Sequence, residues 1–307
     1  MVHTKEQKKA VVTGGAGFIG SNLVDVLVRE GYTVEVIDDL SAGDRENVNP
    51  RAGFHKGSIV DTAFVKDVCR GASYIFHCAA LPRVQFSLEH PIEAHKVNID
   101  GTLSVLEAAR AADAERVIFS SSSAVYGDKV EMPLTEDMEV DPKSPYGLHK
   151  YIGERYCTSW SSVFGMPTVS LRYFNVYGPR QSAEGAYALV IAKFLKQKQR
   201  GEPMTITGDG SQTRDFIHVR DVVDANLRAA TSQNVGSGEV VNIGHGSSVS
   251  VNRIAELVGG ETVHIEPRFE PQDTLADARR AYRLLGWRSS ISIEEGIEGL
   301  KTQHGLS

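Results

Sequence analysis

The stretch Thr13-Gly14-Gly15-Ala16-Gly17-Phe18-Ile19-Gly20 decides the fold of this chain. It follows the apolar run Lys9-Ala10-Val11-Val12. It leads into Ser21–Val28, where Leu23, Val24, Leu27 and Val28 share one helical face. Three of its four glycines, Gly14, Gly17 and Gly20, are spaced GxxGxxG between a β-branched strand and an amphipathic helix. A tight turn that brings backbone close to a pyrophosphate needs residues without a Cβ, and the following helix aims its positive end at the phosphates. Such glycines alone mark many turns; the strand before and the helix after give these a dinucleotide-binding meaning. The next strand, Tyr-Thr-Val-Glu-Val-Ile-Asp, ends at Asp38, about 20 residues on, where an acid accepts from a ribose 2′-hydroxyl and repels a 2′-phosphate. This predicts NAD rather than NADP, with neighbouring Asp39 the other candidate for the contact.

Outward from that turn the pattern repeats. Ala63–Gly71 reads as a helix, Ser73–Ala80 as a strand, Ala94–Asp113 as a long helix and Glu115–Ser123 as a strand. Thr168–Gly178 reads as one further strand. Alternation of this kind predicts an α/β protein built on a doubly wound, Rossmann-type parallel sheet. Beyond about Tyr177 the spacing loosens, with helices near 189–201, 221–233 and 252–260 and a strand–turn–strand over Pro203–Val219. The expected division is a cofactor domain of 1–174 and 215–243, interleaved with a smaller substrate lobe of 175–214 and 244–307.

The 307 residues carry a net charge of −6, with 41% apolar and 23% charged residues. That composition suits a folded soluble chain and offers no basic excess for nucleic acid. No apolar run approaches the ~18 residues of a membrane span, and the polar N-terminus lacks a leader-like stretch, so a cytoplasmic location is expected. Cys69, Cys78 and Cys157 are scattered and odd in number, which suits reduced thiols rather than disulfides. The histidines form no HxxxH or HExxH cluster, and no metal is expected.

The chemistry is carried by Ser144-Pro145-Tyr146-Gly147-Leu148-His149-Lys150. Ser144 reads as an N-cap and Pro145 as the first helical residue, so Tyr146 and Lys150 share a face. A phenol ionises near 10, and a cation beside it favours the phenolate, which would make Tyr146 a general base near neutral pH. Ser120 to Ser123 stand at a strand's carboxyl end, where ligands bind in this architecture, and a hydroxyl there can relay a proton.

TGGAGFIGS, IDDLSAG, HCAA, VNIDGT, SSSSAVYG, SPYGLHK, RYFNVYGPRQ, GDGSQTRDFIHV and LADARRAYRLLGW together resemble the extended short-chain dehydrogenase/reductases, most of all the UDP-galactose and UDP-N-acetylglucosamine 4-epimerases. The resemblance implies a UDP-sugar 4-epimerase with tightly bound NAD that works as a homodimer through the helices at 94–113 and 145–164. It makes Tyr146 the base, Lys150 the nicotinamide-ribose ligand, and Ser122 with Ser123 the catalytic hydroxyls. It lines the cofactor with Gly14, Gly17, Phe18, Ile19, Gly20, Asp38, Asp39, Ser41, Gly43, Ser58, Ile59, Ala79, Ala80, Asn98, Ser120 and Tyr173. It assigns the UDP-sugar to Arg83, Asn175, Arg180, Ala188, Leu189, Val190, Thr205, Arg214, Arg268, Glu270 and Thr274. Ser58 stands where the family often has Asp, and Pro267–Asp277 is shorter than the family pattern and lacks its glycine.

Sister dehydratases and decarboxylases carry a carboxylate just after the catalytic hydroxyl; Ser122-Ser123-Ala124 does not. The resemblance puts Thr274 at the position that gates the sugar 2-substituent, which implies room for an N-acetyl group, and Gly185–Ala188 resembles the N-acetyl-accepting branch. Arg83 or Arg180 facing a 6-carboxylate would instead give a UDP-uronic acid 4-epimerase. A non-catalytic NAD-sensing protein is the alternative from another class.

Overall fold

The computed structural model describes residues 7–183, 189–266 and 273–306. Seven parallel strands form the central sheet. In chain order they are β1 (Lys9–Thr13), β2 (Thr33–Asp38), β3 (Gly53–Lys56), β4 (Tyr74–His77), β5 (Arg116–Ser122) and β6 (Thr168–Tyr173), with β11 (Ser237–Ile243) added from late in the chain. Across the sheet the order is β11-β6-β5-β4-β1-β2-β3, so the first crossovers run outward from β1 in both directions, and the crevice at that reversal is where ligands bind in such sheets. β3 carries no signal in the sequence, because Gly53-Phe54-His55-Lys56 has no alternation.

One face is covered by α1 (Phe18–Arg29). The other carries α2 (Thr62–Cys69) and a run made of α3 (Val84–Glu89), α4 (Pro91–His95), a π-helical turn (Lys96–Asp100) and α5 (Gly101–Ala111), then α6 (Pro145–Phe164). The long helix expected over 94–113 therefore starts earlier, stops earlier and is broken. Asn98, in the π turn, exchanges two hydrogen bonds with the backbone of Leu81, and such turns interrupt the regular ladder. α6 matches its expectation: Ser144 caps Gly147 N at 3.1 Å, Pro145 is the first residue, and Gly165 closes it at φ 65°.

The expected strand over 168–178 divides at Phe174. β6 stays in the sheet, while β7 (Asn175–Tyr177) leaves to pair with β10 (Phe216–His218). Between them come α7 (Val190–Gln199), β8 (Met204–Thr207) and β9 (Thr213–Arg214). The rest comprises α8 (Val219–Thr231), β12 (Val249–Ser250), α9 (Val251–Val258), β13 (Thr262–Ile265), α10 (Arg279–Leu285) and α11 (Ile293–Gln303). β8 pairs with β13, not with β9 or β10 as a hairpin reading of Pro203–Val219 would have it.

Two cores sandwich the sheet. Leu23, Leu27, Val222 and Ala229 pack on one face, and Val65, Val105, Leu106 and Cys157 on the other. A third core, with Phe194, Leu195, Ile254 and Leu300, sits in the later lobe. Ala281, Leu285 and fully buried Trp287 pack on the first core; apolar burial there draws α10 to the sheet although its sequence lies among lobe elements. No helix of the described residues is long and apolar enough to cross a membrane.

Candidate active site

The carboxyl ends of β1, β2, β4 and β5 meet at one edge of the sheet. There the three glycines differ in what they accommodate. Gly14 has φ +71°, and a Cβ on it would lie 2.7 Å from Ala79 N; one on Gly20 would drive into the Gly14 carbonyl. These two are required by the protein's own packing. Gly17 is less crowded: a Cβ would meet Gly14 O alone, though closely, at 3.2 Å. Gly17 is also the N-cap of α1, with no side chain capping the helix and no acid in its first turn. A bare, uncapped helix start suits a pyrophosphate.

Of the two acids, Asp38 turns inward and Asp39 outward. Asp38 is buried and accepts from Ala16 N at 2.9 Å and Leu40 N at 2.8 Å. Burial pushes its carboxyl up from the usual range, and those two amides pull it back part-way. Asp39 is exposed and caps Ser41 N at 2.9 Å. A carboxylate with spare lone pairs next to the glycine turn suits two ribose hydroxyls, so these residues fit a dinucleotide. In Asp38→Asn one of the two oxygens becomes a donor; the amount of NAD retained on purification, titrated as a dissociation constant, is expected to weaken by about tenfold. Unchanged retention would assign the ribose elsewhere.

Around this edge the other residues take varied places. Phe18 and Ile19 pack partly buried on the core at the start of α1, and Gly43 lies against Ala16. Ser58 Oγ accepts from Val60 N, and the Ile59 side chain is buried beneath Gly101. Ala79 and Ala80 are half-buried just past β4. Asn98, expected along the cofactor, exchanges hydrogen bonds with both backbone groups of Leu81 and so braces the loop that follows β4. His77, the first residue of HCAA and given no role in the sequence, bridges Thr13 at 2.8 Å and Thr102 at 3.0 Å, and burial holds it neutral with a pKa near 3.

The reactive groups come from α6 and the tip of β5. Lys150 is buried, donates to Ser120 O at 2.7 Å, and burial lowers its pKa to about 8. Its Nζ lies 5.8 Å from the Tyr146 ring centre. Burial raises the Tyr146 phenol, and the Ser122 hydroxyl, not the ammonium, draws it back down. The same Lys150 Nζ that donates to the Ser120 carbonyl thus stays on the side of the Tyr146 ring. Ser122 also caps the short turn that follows, accepting from Ala124 N at 3.2 Å, and Ser123 opens that turn. Ser120 Oγ meets Tyr173 Oη at 3.2 Å, and Tyr173 is anchored in turn by Asn226. Tyr146 N donates to Ser87 Oγ at 3.1 Å, so α3 fixes where α6 begins.

The later lobe brings Asn175 and Thr274 together. Asn175 Nδ2 donates to Thr274 Oγ1 and to Asp215 O, both at 3.2 Å. Asp215 is fully buried between β9 and β10, and its carboxylate accepts from His245 N, Gly246 N and Ala276 N. Next to it, Arg214 donates to Thr213 O at 2.9 Å. Leu189 is the exposed N-cap of α7 and Val190 its first residue, while Thr205 is tied to Gln197 through both its N and its Oγ1. Arg83 is exposed at the N-cap of α3. Arg180, a candidate for a sugar carboxylate, pairs with Asp25 of α1 at 2.6 Å, both side chains partly exposed. Ala188, Arg268, Glu270 and Gly185–Ala188 as a whole lie outside the described residues.

Residues 10–244 match the model of the NAD dependent epimerase/dehydratase family. A UDP-glucose 4-epimerase of Mycolicibacterium smegmatis is 37% identical, covering 94% of this chain and 96% of its own. The UDP-N-acetylglucosamine 4-epimerase of Methanobrevibacter ruminantium M1, solved with UDP-N-acetylmuramic acid, superposes with a TM-score of 0.91 at 35% identity, covering 97% of this chain and 99% of its own. The UDP-glucuronic acid 4-epimerase of Bacillus cereus, solved with UDP-glucuronic acid and NAD, gives 0.88 at 31% identity, over 97% and 99% of the two chains. With the glycine turn, the inward acid and the tyrosine–lysine pair at one sheet edge, this chain belongs to the NAD dependent epimerase/dehydratase family.

Proposed function

We propose that the protein is an NAD-dependent UDP-hexose 4-epimerase that acts on UDP-GlcNAc/UDP-GalNAc and on UDP-Glc/UDP-Gal. The observation that carries this reading is Tyr146 and Lys150 on one face of α6 against Ser120 and Ser122, with no carboxylate at 123 or 124. Tyr146 takes the proton of the sugar 4-hydroxyl, with Ser122 beside the phenol to relay it, and later gives the proton back. The glycine turn and Asp38 would hold NAD, which when bound would supply reversible hydride acceptance at the sugar C4. Lys150 holds the nicotinamide ribose. Without an acid–base pair next to Ser122, the sugar ketone has no local route to elimination or decarboxylation, so its fate is reduction from the other face. That requires the sugar to turn over while its diphosphate stays fixed, the role we give to Asn175 and Arg214.

Sugar choice we assign to Thr274, which touches Asn175 through its hydroxyl and is smaller than the tyrosine that would exclude an N-acetyl group. The pairing of Arg180 with Asp25 removes one of the two arginines that a uronate would use. The test is turnover by purified protein on UDP-Glc, UDP-GlcNAc and UDP-glucuronate without added NAD, read by separating the C4 epimers. Activity on UDP-glucuronate above the other two would replace this reading with the uronate one; no activity on any would favour a non-catalytic NAD binder. In Thr274→Tyr, the kcat/KM ratio of UDP-GlcNAc to UDP-Glc is expected to fall by about tenfold or more, the usual consequence of overfilling a pocket. An unchanged ratio removes Thr274 as the gate. The same family likeness supports a homodimer through α5 and α6, where Leu148, Val163 and Phe164 of α6 are exposed; sedimentation as a monomer would remove that part of the proposal.

A further inference from the structure

β5 ends in consecutive serines, and Ser121 is the one to which no ligand role falls. Alternation along a strand sends it to the opposite face from Ser120 and Ser122, the face covered by α6. There its hydroxyl donates to Glu154 Oε1 at 2.5 Å. Glu154 stands one turn beyond Lys150, so Tyr146, Lys150 and Glu154 form a row at four-residue spacing on α6. The Glu154 carboxylate is buried and also receives Arg172 of β6, Nε to Oε1 at 2.8 Å and Nη2 to Oε2 at 2.7 Å. Arg172 lies directly opposite Ser121 in the β5–β6 register.

A buried ion pair gains little stability over apolar side chains of similar volume, because both charges lose their water. What three directional bonds add is geometry. Arg172 and Glu154 fix α6 to β6, and Ser121 extends that clamp to the tip of β5. On the ligand side the same helix and strand meet through Lys150 Nζ and Ser120 O, and through Tyr146 and Ser122. A slip of the helix along the strand would misplace both reactive groups together, and a displacement of about 1 Å is enough to slow chemistry strongly.

We propose that Ser121 is a positioning residue, which acts through Glu154 to hold Tyr146 and Lys150 in register with the β5 tip. This rests on the epimerase reading for its kinetic consequence, though not for its structural one.

The experiment compares Ser121→Ala and Ser121→Thr with the unaltered protein, using kcat and KM for the best nucleotide sugar and amide hydrogen exchange at Ser122–Val125. Ser121→Ala is expected to lower kcat by about tenfold with KM within about twofold, the scale of one hydrogen bond to a charged group. Ser121→Thr, which keeps the hydroxyl, is expected to recover most of the loss. A kcat within about twofold of the unaltered protein in Ser121→Ala overturns the proposal, because a lost hydrogen bond to charge should exceed that. A Thr variant as slow as the Ala variant overturns it too. If the unaltered protein turns over no nucleotide sugar, the functional reading has failed, and exchange decides this inference alone. Faster exchange at Ser122–Val125 in Ser121→Ala then supports the clamp, and unchanged exchange overturns it.

Discussion

Tyr146→Phe is expected to fold as the parent does, bind nucleotide sugar, and turn it over about a thousandfold or more slowly, within the range for loss of a general acid–base group. The phenol is the group on α6 that faces Ser122, and removing one oxygen leaves its ring and helix contacts in place. The cost should fall on kcat, since binding of the diphosphate is assigned to Asn175 and Arg214 in the other lobe. Burial holds the phenol above its ordinary range, with Ser122 pulling the other way. Ser122→Ala is therefore expected to slow turnover in the same direction but less. Separation of C4 epimers over time, with thermal unfolding to confirm the fold, checks both; a Phe variant within tenfold of the parent would require a different base.

The second large effect is on stability. Arg172→Met removes one partner of a pair whose side chains are 3% and 2% exposed, leaving the Glu154 carboxylate with the Ser121 hydroxyl alone. An uncompensated buried charge costs about 3–5 kcal/mol, which for a chain of this size lowers the midpoint of thermal unfolding by roughly 10 °C. Arg172 also stacks on Tyr126, 4.6 Å from its ring centre, so some packing is lost as well. Replacing both partners, as in Glu154→Leu with Arg172→Met, should recover most of the stability, because no charge is then left in the core. Thermal unfolding of the single and double variants checks this. A single variant as stable as the parent would mean that Glu154 is reached by water. The double variant also separates the two roles of the pair: stability returns, but turnover stays low if the pair's contribution is register.

Much of the site is legible in the amino-acid sequence. Periodicity locates β1, α1, β4 and α6 because each carries its own local signal: β-branched runs, an apolar helical face, or a Ser-Pro cap. The glycine turn and the Tyr146–Lys150 pair are local in the same way. What the sequence hides is what depends on residues far apart. Asn175 and Thr274 meet across 99 positions, and no spacing rule pairs them. The reach of Arg180 to Asp25 spans 155 positions, and no spacing rule pairs these two either. The division of the 168–178 strand follows from which partner each half finds, β5 and β11 for one and β10 for the other. Glu154 is within reach of the sequence, since the four-residue row that contains Tyr146 and Lys150 continues to it. A buried acid mid-helix looks like a surface charge until the fold shows what covers it.

The passage of the chain at Phe174 has a consequence for how sugar preference can change. One residue separates β6 from β7, and Phe174 N itself bonds to Ile243 O at 3.1 Å, so the border between sheet and lobe runs through a bonded strand rather than a free tether. Asp215 stitches that border from the other side with three backbone contacts. A lobe sewn in this way is not a cassette: grafting one from a relative would cut hydrogen-bonded strands at both seams. On the proposed reading, new specificities on this scaffold would come from small exchanges at positions such as 274, with the hydrogen-bonded seams left intact.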